Sequence, residues 1–353
     1  MYTKKRYSRK DMLIWTQRET FFFLALAGIV ALLHEVFNLE WMQLPWVPLA
    51  LVGTAVAFIL SFQNNAAYGR IWEARKIWGG IVNTSRTWGM MVQDMVNNQH
   101  AIDPATPVEL RQEIKTLTYR HIAWMTALRY SMRQPKPWEV ARQHSANKRW
   151  SNLIYVPEFE ESIEEAIQPY LNAEEKEYVL SKGNKQTAVL YLQSHHIKQL
   201  KDRGLIWEFA FLELEKILEE LFTLQGKSER IKNFPYPRQY ATLGYSFVNL
   251  FIFLLPFGIV PEFSEVGKHL VEQGQDFGKY FVWLSVPFSA TISWVFNTML
   301  RIGTTGENPF EGTANDVPIS TISRAIETNL REMLDEDKEG IPEQFPMIYD
   351  VQF

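Results

Sequence analysis

Two rows of side chains in one apolar stretch have the residue types and the spacing to line a passage for ions. Small residues recur every fourth position, at Gly53, Ala57 and Ser61. Threonine and phenylalanine recur one position later, at Thr54, Phe58 and Phe62. Wound at 3.6 residues per turn, each row lies along one side of a helix. Because small residues let helices approach closely in lipid, the first row is predicted to pack against a neighbouring helix. The second row then faces a lumen.

Polar side chains continue the same helix where the apolar stretch ends. Asn64 and Asn65 follow the last phenylalanine, and Arg70 comes within two further turns. Asparagine is costly in hydrocarbon unless it is paired or faces water. The pattern fits a helix end whose charges reach past the membrane surface. It fits equally a helix that emerges into a water-filled vestibule, where the amides meet partly dehydrated ions.

Residue patterns typical of enzymes are missing from the chain. There is no glycine-rich phosphate loop, no H-E-x-x-H and no G-x-S-x-G. With 0 cysteines, a disulfide, a thiolate metal site and a cysteine nucleophile are excluded. The adjacent His195 and His196 point about 100° apart on a helix, so they are a poor metal pair. We expect no enzymatic activity and no metal site, and the net charge of −4 gives no reason to expect nucleic acid as a partner.

Charge-free runs identify the elements that position these residues. Three such runs are long enough to cross about 30 Å of hydrocarbon as helices; they are Trp41–Gly69, Gln239–Pro261 and Tyr280–Leu300. The shorter run Thr20–Leu33 is a fourth candidate. Proline at Pro256 and Pro287 is expected to bend the third and fourth spans. We predict an all-α membrane protein with four transmembrane helices.

The distribution of basic residues orients these spans. Lysine and arginine are concentrated before the first span and are missing from residues 34–44, which predicts a cytoplasmic N-terminus. The chain then divides into five parts. These are a basic arm suited to anionic lipid (1–19), a first hairpin (20–69), a cytoplasmic helical region (70–238), a second hairpin (239–300) and a cytoplasmic tail (301–353).

The cytoplasmic parts are predicted to be helical, with almost no sheet. The predicted helices comprise a buried one at Glu109–Met132, an acidic solvated one at Glu158–Ile167, a long one at Asp202–Leu224 ended by Gly226 and then by Pro235–Pro237, and an amphipathic one at Ser320–Asp335. Outside the membrane, the connector that starts at Pro261 is predicted to be acidic.

Two segments resemble the bestrophin family of ion channels, and bacterial members in particular. Residues 61–79 read SFQNNAAYGRIWEARKIWG, which is similar to the family's characteristic segment. Asn308, Pro309 and Phe310 follow the last span, and they resemble the motif at which bestrophins leave the membrane. Together with the paired hairpins, the resemblance covers nearly the whole chain.

The resemblance implies a homopentamer around a central pore in the bacterial plasma membrane, with lipids and permeating monovalent ions as its other partners. Thr54, Phe58 and Phe62 match the family's hydrophobic neck. Leu212 is the best match to a second, cytoplasmic constriction, with Phe209 as the alternative. Animal bestrophins pass chloride and other anions, whereas bacterial relatives can favour cations.

Two departures from the family pattern affect these expectations. Animal members bind calcium through an acidic cluster after the exit motif, whereas residues 311–316 offer only Glu311 and Asp316. Calcium prefers six to eight oxygens with several carboxylates, so we expect no cofactor and no tight calcium site. Thr54 also replaces a commonly aliphatic neck residue, which leaves Phe58 and Phe62 as the main barrier.

The sign of the permeating ion and the alternative functions remain open on sequence alone. Acidic residues in the predicted external connectors favour cations; they are Glu35, Glu40, Glu262, Glu265, Glu272 and Asp276. A membrane scaffold or receptor whose cytoplasmic helices recruit a partner is the alternative to a channel. The paired small and aromatic rows favour the channel, because a scaffold needs no lumen face.

Overall fold

The protein is described by a computed structural model over residues 1–139, 141–142, 144, 147–148 and 151–353. Its helices are α1 (Arg9–Glu35), α2 (Trp46–Met95), α3 (Pro107–Arg133), α4 (Pro157–Glu160), α5 (Ile163–Ile167), α6 (Ala173–Ser181), α7 (Lys185–Asp202), α8 (Glu208–Asn233), α9 (Arg238–Glu272), α10 (Ser285–Gly306) and α11 (Ile319–Met333). Short 3₁₀ segments cover Glu40–Met42, Asp276–Leu284 and Lys338–Gly340. Within these described ranges, β pairing is limited to isolated bridges, so the all-helical prediction is confirmed there.

The longest element, α2, runs unbroken for 50 residues, or about 75 Å. Its proline, Pro48, lies in the first turn, where a missing N–H costs no helical hydrogen bond. The upper half packs with α1, α9 and α10 around an apolar cluster that includes Leu60 and Phe251. The lower half enters a second core, built with α3, α8 and α11 around Trp78, Trp88 and other large side chains. One helix thus joins both halves of the molecule, and the predicted continuation past the apolar run is confirmed.

Three helical segments of the described chain are long and apolar enough to cross a membrane, judged by length and composition. They are Arg9–Glu35, Glu40–Met95 and Arg238–Glu272. The predicted fourth span corresponds to α10, which is not among the three. At 22 residues, or about 33 Å, α10 lies against α1, α2 and α9. It begins at Ser285, so Pro287 falls in its first turn and does not interrupt it.

The helix of the third span does not stop where the charge-free run stops at Pro261, because α9 continues through this proline to Glu272. A proline inside a helix removes one N–H and leaves the carbonyl four residues earlier without its partner. Here that carbonyl belongs to Phe257, and the backbone N–H of Leu44 donates to it at 3.1 Å. The segment before α2 therefore satisfies the helix that the proline would otherwise break.

The predicted helix from Asp202 to Leu224 is also wrong at both ends. Asp202 is the last residue of α7, and Gly204 follows with a left-handed φ of +74°. The N–H of Gly204 donates to Lys201 O and that of Leu205 to Leu200 O, which is the pattern of a glycine-closed helix end. The next helix, α8, starts at Glu208 and passes Gly226 to reach Asn233, because its packed side continues beyond the glycine through Ser228 and Ile231.

The acidic stretch 158–167 is not one solvated helix. It divides into α4 and α5, and the Ser162 side chain caps α5 through the N–H of Glu165. Glu158 is buried, where it accepts from Ser320 at 2.7 Å and pairs with Arg129. Its acidic sequence neighbours suggested an exposed helix, but two arginines of α3 neutralise this carboxylate in the core. The predicted helices 109–132 and 320–335 are confirmed as α3 and α11.

Candidate ion pathway

The aromatic row of α2 lies on the side of the helix that the rest of the chain leaves open. Phe58 is 63% exposed and Phe62 is 72% exposed, although both belong to an apolar span. Thr54 is exposed one turn above, with its hydroxyl donating to Ala50 O at 2.9 Å. On the opposite side, Leu60 is fully buried against the membrane-level core. This geometry leaves the row free to meet lipid, a lumen or another copy of the chain.

The small-residue row behaves differently from one position to the next. A Cβ on Gly53 would lie 2.8 Å from two ring carbons of Phe251, so the glycine permits a close contact between α2 and α9. Ala57 is half-buried and Ser61 is exposed. Within one chain, Gly53 makes the close helix contact, and the packing roles of Ala57 and Ser61 stay a prediction.

The three polar residues predicted to share a vestibule occupy different surroundings. Asn65 is exposed on the same side as the aromatic row. Asn64 points instead into a cavity of about 490 Å³ between α1, α2 and α10, beside Gly303. The guanidinium of Arg70 donates to three backbone carbonyls, those of Glu307 (2.6 Å), Ile231 (3.0 Å) and Phe234 (2.9 Å). Arg70 thereby ties α2 to the ends of α8 and α10.

Gln63 and Glu307 form a buried contact that the sequence did not single out. The side-chain amide of Gln63 donates to Glu307 Oε1 at 3.1 Å, and Arg238 lies 3.9 Å from the other oxygen. The contact joins the residue after Phe62 to the end of α10 and the start of α9. The sequence feature that could have indicated this contact is a glutamine inside a charge-free span, since a polar side chain there needs a partner.

The two residues predicted for the cytoplasmic constriction are exposed at the beginning of α8. Phe209 is 64% exposed and Leu212, three residues later, is 49% exposed. Between and after them, Ala210 and Leu214 are buried in the second core, the one that includes Trp78 and Trp88. An open groove of about 850 Å³ between α7 and α8 runs beside them. Both side chains are therefore available to line an opening.

The loop after α10 is buried and held by ion pairs within the chain. Phe310 packs against Trp78 with ring centroids 6.5 Å apart. Asp316 accepts from the N–H of Gly312 at 2.6 Å and from the Arg133 guanidinium at 3.0 Å. Burial raises the pKa of Glu311 to about 7. Arg133 and the backbone of Gly312 thus share one carboxylate oxygen of Asp316.

Histidine and carboxylate groups do not gather into a metal cluster in the described ranges, where no set of three or more is placed to hold an ion. His196 is instead held between Glu113, 2.9 Å from its Nε2, and Arg120, 2.9 Å from its Nδ1. The arginine can only donate, so Nδ1 accepts and Nε2 carries the proton. The ring of His195 stacks on Tyr191. The two histidines thus face different neighbours.

Comparison with known families identifies the chain. A family model described as bacterial/fungal bestrophin protein matches residues 8–332. The protein belongs to the bestrophin family. The resemblance seen in residues 61–79 and in the exit motif is therefore confirmed.

Relatives of this bestrophin carry names that refer to anion channels. It is 25% identical over 315 residues to the voltage-dependent anion channel-forming protein RSc3414 of Ralstonia nicotianae, covering 88% of this chain and 86% of the relative. It is also 25% identical over 307 residues to the voltage-dependent anion channel-forming protein YneE of Escherichia coli K12, covering 85% and 82%.

Solved structures of the family share the fold of this bestrophin. A bacterial bestrophin homologue from Klebsiella pneumoniae superposes with a TM-score of 0.68 at 22% identity, covering 90% of this chain and 98% of the other. The similarity therefore extends over nine-tenths of the chain and shows a shared fold.

Proposed function

We propose that this protein is a pentameric anion channel, in which α2 of each subunit lines the pore. In this arrangement Thr54, Phe58 and Phe62 form the neck, and Leu212, with Phe209 beside it, forms the cytoplasmic opening. Phenylalanine rings around a narrow lumen hold water poorly, so small changes in radius control ion passage. Thr54 adds a hydroxyl at the outer end, which leaves the two phenylalanine rings as the barrier.

One observation carries this proposal: the aromatic row is exposed along a helix whose opposite side is buried over its whole length. A lipid-facing helix would account for exposed phenylalanines in the upper half alone. However, α2 continues into the cytoplasmic core, and its open side there presents Asn65, Lys76 and Asn83. A single side that is apolar above and polar below fits a pore with an aqueous inner vestibule.

The sign of the ion is proposed from family membership. The bestrophins named above are called anion channel-forming proteins, which supports anions for this chain as well. The acidic residues of the external connectors favour cations, but they lie outside the neck. Aromatic ring edges carry partial positive charge, so a phenylalanine neck is compatible with an anion.

The proposed membrane arrangement follows from the same pattern. Spans one and two, in α1 and α2, and spans three and four, in α9 and α10, form two hairpins in the bacterial plasma membrane, with both termini in the cytoplasm. Exposed aromatic side chains on α1 and α9, such as Phe22 and Phe253, then contact lipid or the neighbouring subunit. The basic residues before α1 orient the chain and meet anionic headgroups.

Planar bilayers under a chloride gradient test the channel. We expect the purified protein to pass a current whose reversal potential lies close to the equilibrium potential of chloride. Phe58→Ala and Phe62→Ala should raise conductance or open probability roughly severalfold, because alanine widens and wets the neck. Phe22→Ala is the matched control, since Phe22 is similarly exposed, at 61%, but lies on α1. We expect it to behave like the wild type.

Each element of the proposal has its own contrary result. No current from the wild type and from both neck variants contradicts a channel and favours the scaffold. Unchanged currents in both neck variants mean that the row does not face the pore. A reversal potential close to the equilibrium potential of the cation contradicts the anion assignment but not the channel. Crosslinking of detergent-solubilised protein should produce a ladder that ends at five, and a ladder ending at two or three contradicts the pentamer.

A further inference from the structure

The open side of α2 forms one continuous line from the neck into the cytoplasmic half, drifting by about 20° around the helix in each heptad. Every seventh residue of the helix is buried, and this series comprises Leu60, Ala67, Ala74, Ile81 and Trp88. Two residues further along a helix is about 200° away, almost the opposite side. The residues two positions after each member are all exposed, and they are Phe62, Gly69, Lys76, Asn83 and Met90. Lys76 follows Phe58 by 18 residues, or five full turns, and lies about 40° from Phe62, so it faces the same side of the helix as the aromatic row.

Lys76 is the charged residue of that line. Its position is two heptads after Phe62, about 21 Å along the helix axis. The side chain is exposed, and among the residues that the structure describes it forms no ion pair. Its ammonium is therefore free to attract an anion from solution.

Neighbouring charges on α2 do not cancel this ammonium. Glu73 is the only acidic residue between Phe62 and Met90. Its carboxylate is paired with Arg230 at 2.6 Å. Arg70 points away from the line, toward the carbonyls at the ends of α8 and α10. The open side thus carries a net positive charge below the neck, in contrast to the acidic external connectors.

We propose that Lys76 forms an anion-binding ring in the inner vestibule, with one ammonium group from each subunit. This inference rests on the proposed channel, and it assigns the anion selectivity of that channel to one residue. The lysine ammonium is a compact, hydrated charge on a flexible stem, so it raises the local concentration of small anions without holding them tightly. Anions gathered there supply the neck from the cytoplasmic side, whereas cations are repelled.

Single-channel recording of charge variants tests the ring. In low salt, Lys76→Gln should lower chloride conductance by roughly two- to threefold and reduce the anion preference of the reversal potential. Lys76→Glu should reduce both further. At high salt the difference from wild type should shrink, because counterions screen a vestibule charge. Arg75→Gln is the matched control, since this exposed cation precedes Lys76 by one residue and points about 100° away from the line.

The outcomes separate this inference from the proposed channel. If the wild type conducts, Phe58→Ala raises the current and Lys76→Gln behaves like the wild type, the ring is wrong and the channel stands. Equal effects from Arg75→Gln and Lys76→Gln also overturn it, because general surface charge then explains both. If the wild type and Phe58→Ala carry no current, the channel and the ring fall together. Unchanged thermal midpoints and crosslinking ladders in the lysine variants exclude loss of fold as the cause.

Discussion

The two proposed constrictions use similar side chains but are supported in opposite ways. At the neck, Phe58 and Phe62 project from the interior of a 50-residue helix whose other side is packed throughout. At the cytoplasmic opening, Phe209 and Leu212 project from the first turns of α8. The residue before α8, Trp207, makes no capping side-chain hydrogen bond. The chain reaches it through the left-handed turn at Gly204.

This difference predicts that the radius of the pore changes in different ways at the neck and at the opening. Residues in the interior of a packed helix move when the whole helix moves, because each turn is fixed by its neighbours. Residues at the first turn can shift with the loop that precedes them. The neck is therefore expected to respond to changes in the packing of α2, and the opening to changes in the short segment between α7 and α8.

Arg70 ties the helix that carries the neck to the C-terminal end of α8, the helix that carries the opening at its other end, and its replacement should have the largest effect. Its guanidinium binds the carbonyls of Ile231 in α8 and of Phe234 and Glu307 beyond the ends of α8 and α10. Arg70→Gln removes charge-assisted hydrogen bonds and leaves partly buried carbonyls unpaired, which costs about 2–4 kcal/mol. We expect a clearly lowered thermal midpoint in detergent and altered conductance, because α2 loses its tie to the ends of α8 and α10.

Arg75→Gln is the control for this change, because it removes an exposed arginine from the same helix. Its thermal midpoint should stay near that of the wild type, since isolated surface charges contribute little to stability. Equal losses in the two variants would mean that the three carbonyl contacts do not join the regions.

Gly204 tests the opening alone, with an intermediate effect. A Cβ there would lie 2.5 Å from the backbone oxygen of His100, and the φ of +74° disfavours any side chain. Gly204→Ala should cost about 1–2 kcal/mol from backbone strain and displace the start of α8. We expect changed conductance at the opening, while Phe58→Ala still raises the current in this background as it does in the wild type.

Gly183→Ala, in the turn between α6 and α7, is the matched control. A Cβ at Gly183 meets nothing within 4 Å. If both alanine variants conduct alike, the turn at Gly204 does not set the opening.

The sequence predicted the helix that carries the proposed neck more accurately than the start of the helix that carries the proposed opening, for a physical reason. The α2 helix follows from a charge-free run and a strict periodicity, because both reflect the packing of this helix itself. The start of α8 depends on how Gly204 closes α7, and the sequence Asp202-Arg203-Gly204 contained that signal. Gly226 was taken as a helix end, but it lies in open space on a helix held by tertiary packing. A glycine alone does not distinguish these two cases.

Contacts between distant parts of the chain were beyond local patterns. The carbonyl freed by Pro261 is satisfied by Leu44, more than 200 residues earlier. The burial of Glu158 depends on arginines from α3. The partners of Arg70 likewise come from the ends of α8 and α10. The exposed aromatic row of α2 could be predicted from sequence because it follows the helix period alone, whereas the residues that support this helix needed the tertiary structure.

Gly53 tests the support of the neck alone, and it should give the smallest change. A Cβ at this position would lie 2.8 Å from the ring of Phe251, which is itself buried and packs on Phe296. Gly53→Ala should therefore cost about 1 kcal/mol through overpacking, partly offset by the better helix propensity of alanine.

Gly226→Ala is the same substitution in a helix with nothing within 4 Å, and it should stabilise by about 0.5–1 kcal/mol. A lower thermal midpoint for the first variant and a higher one for the second would show that close packing between α2 and α9 fixes the neck helix. Conductance should change in Gly53→Ala and not in Gly226→Ala, because moving α2 shifts Phe58 whereas Gly226 lies nearly four turns beyond Leu212. Midpoints that rise equally would mean that α2 moves freely against Phe251, and the contrast between a packed neck and a hinged opening would then be wrong.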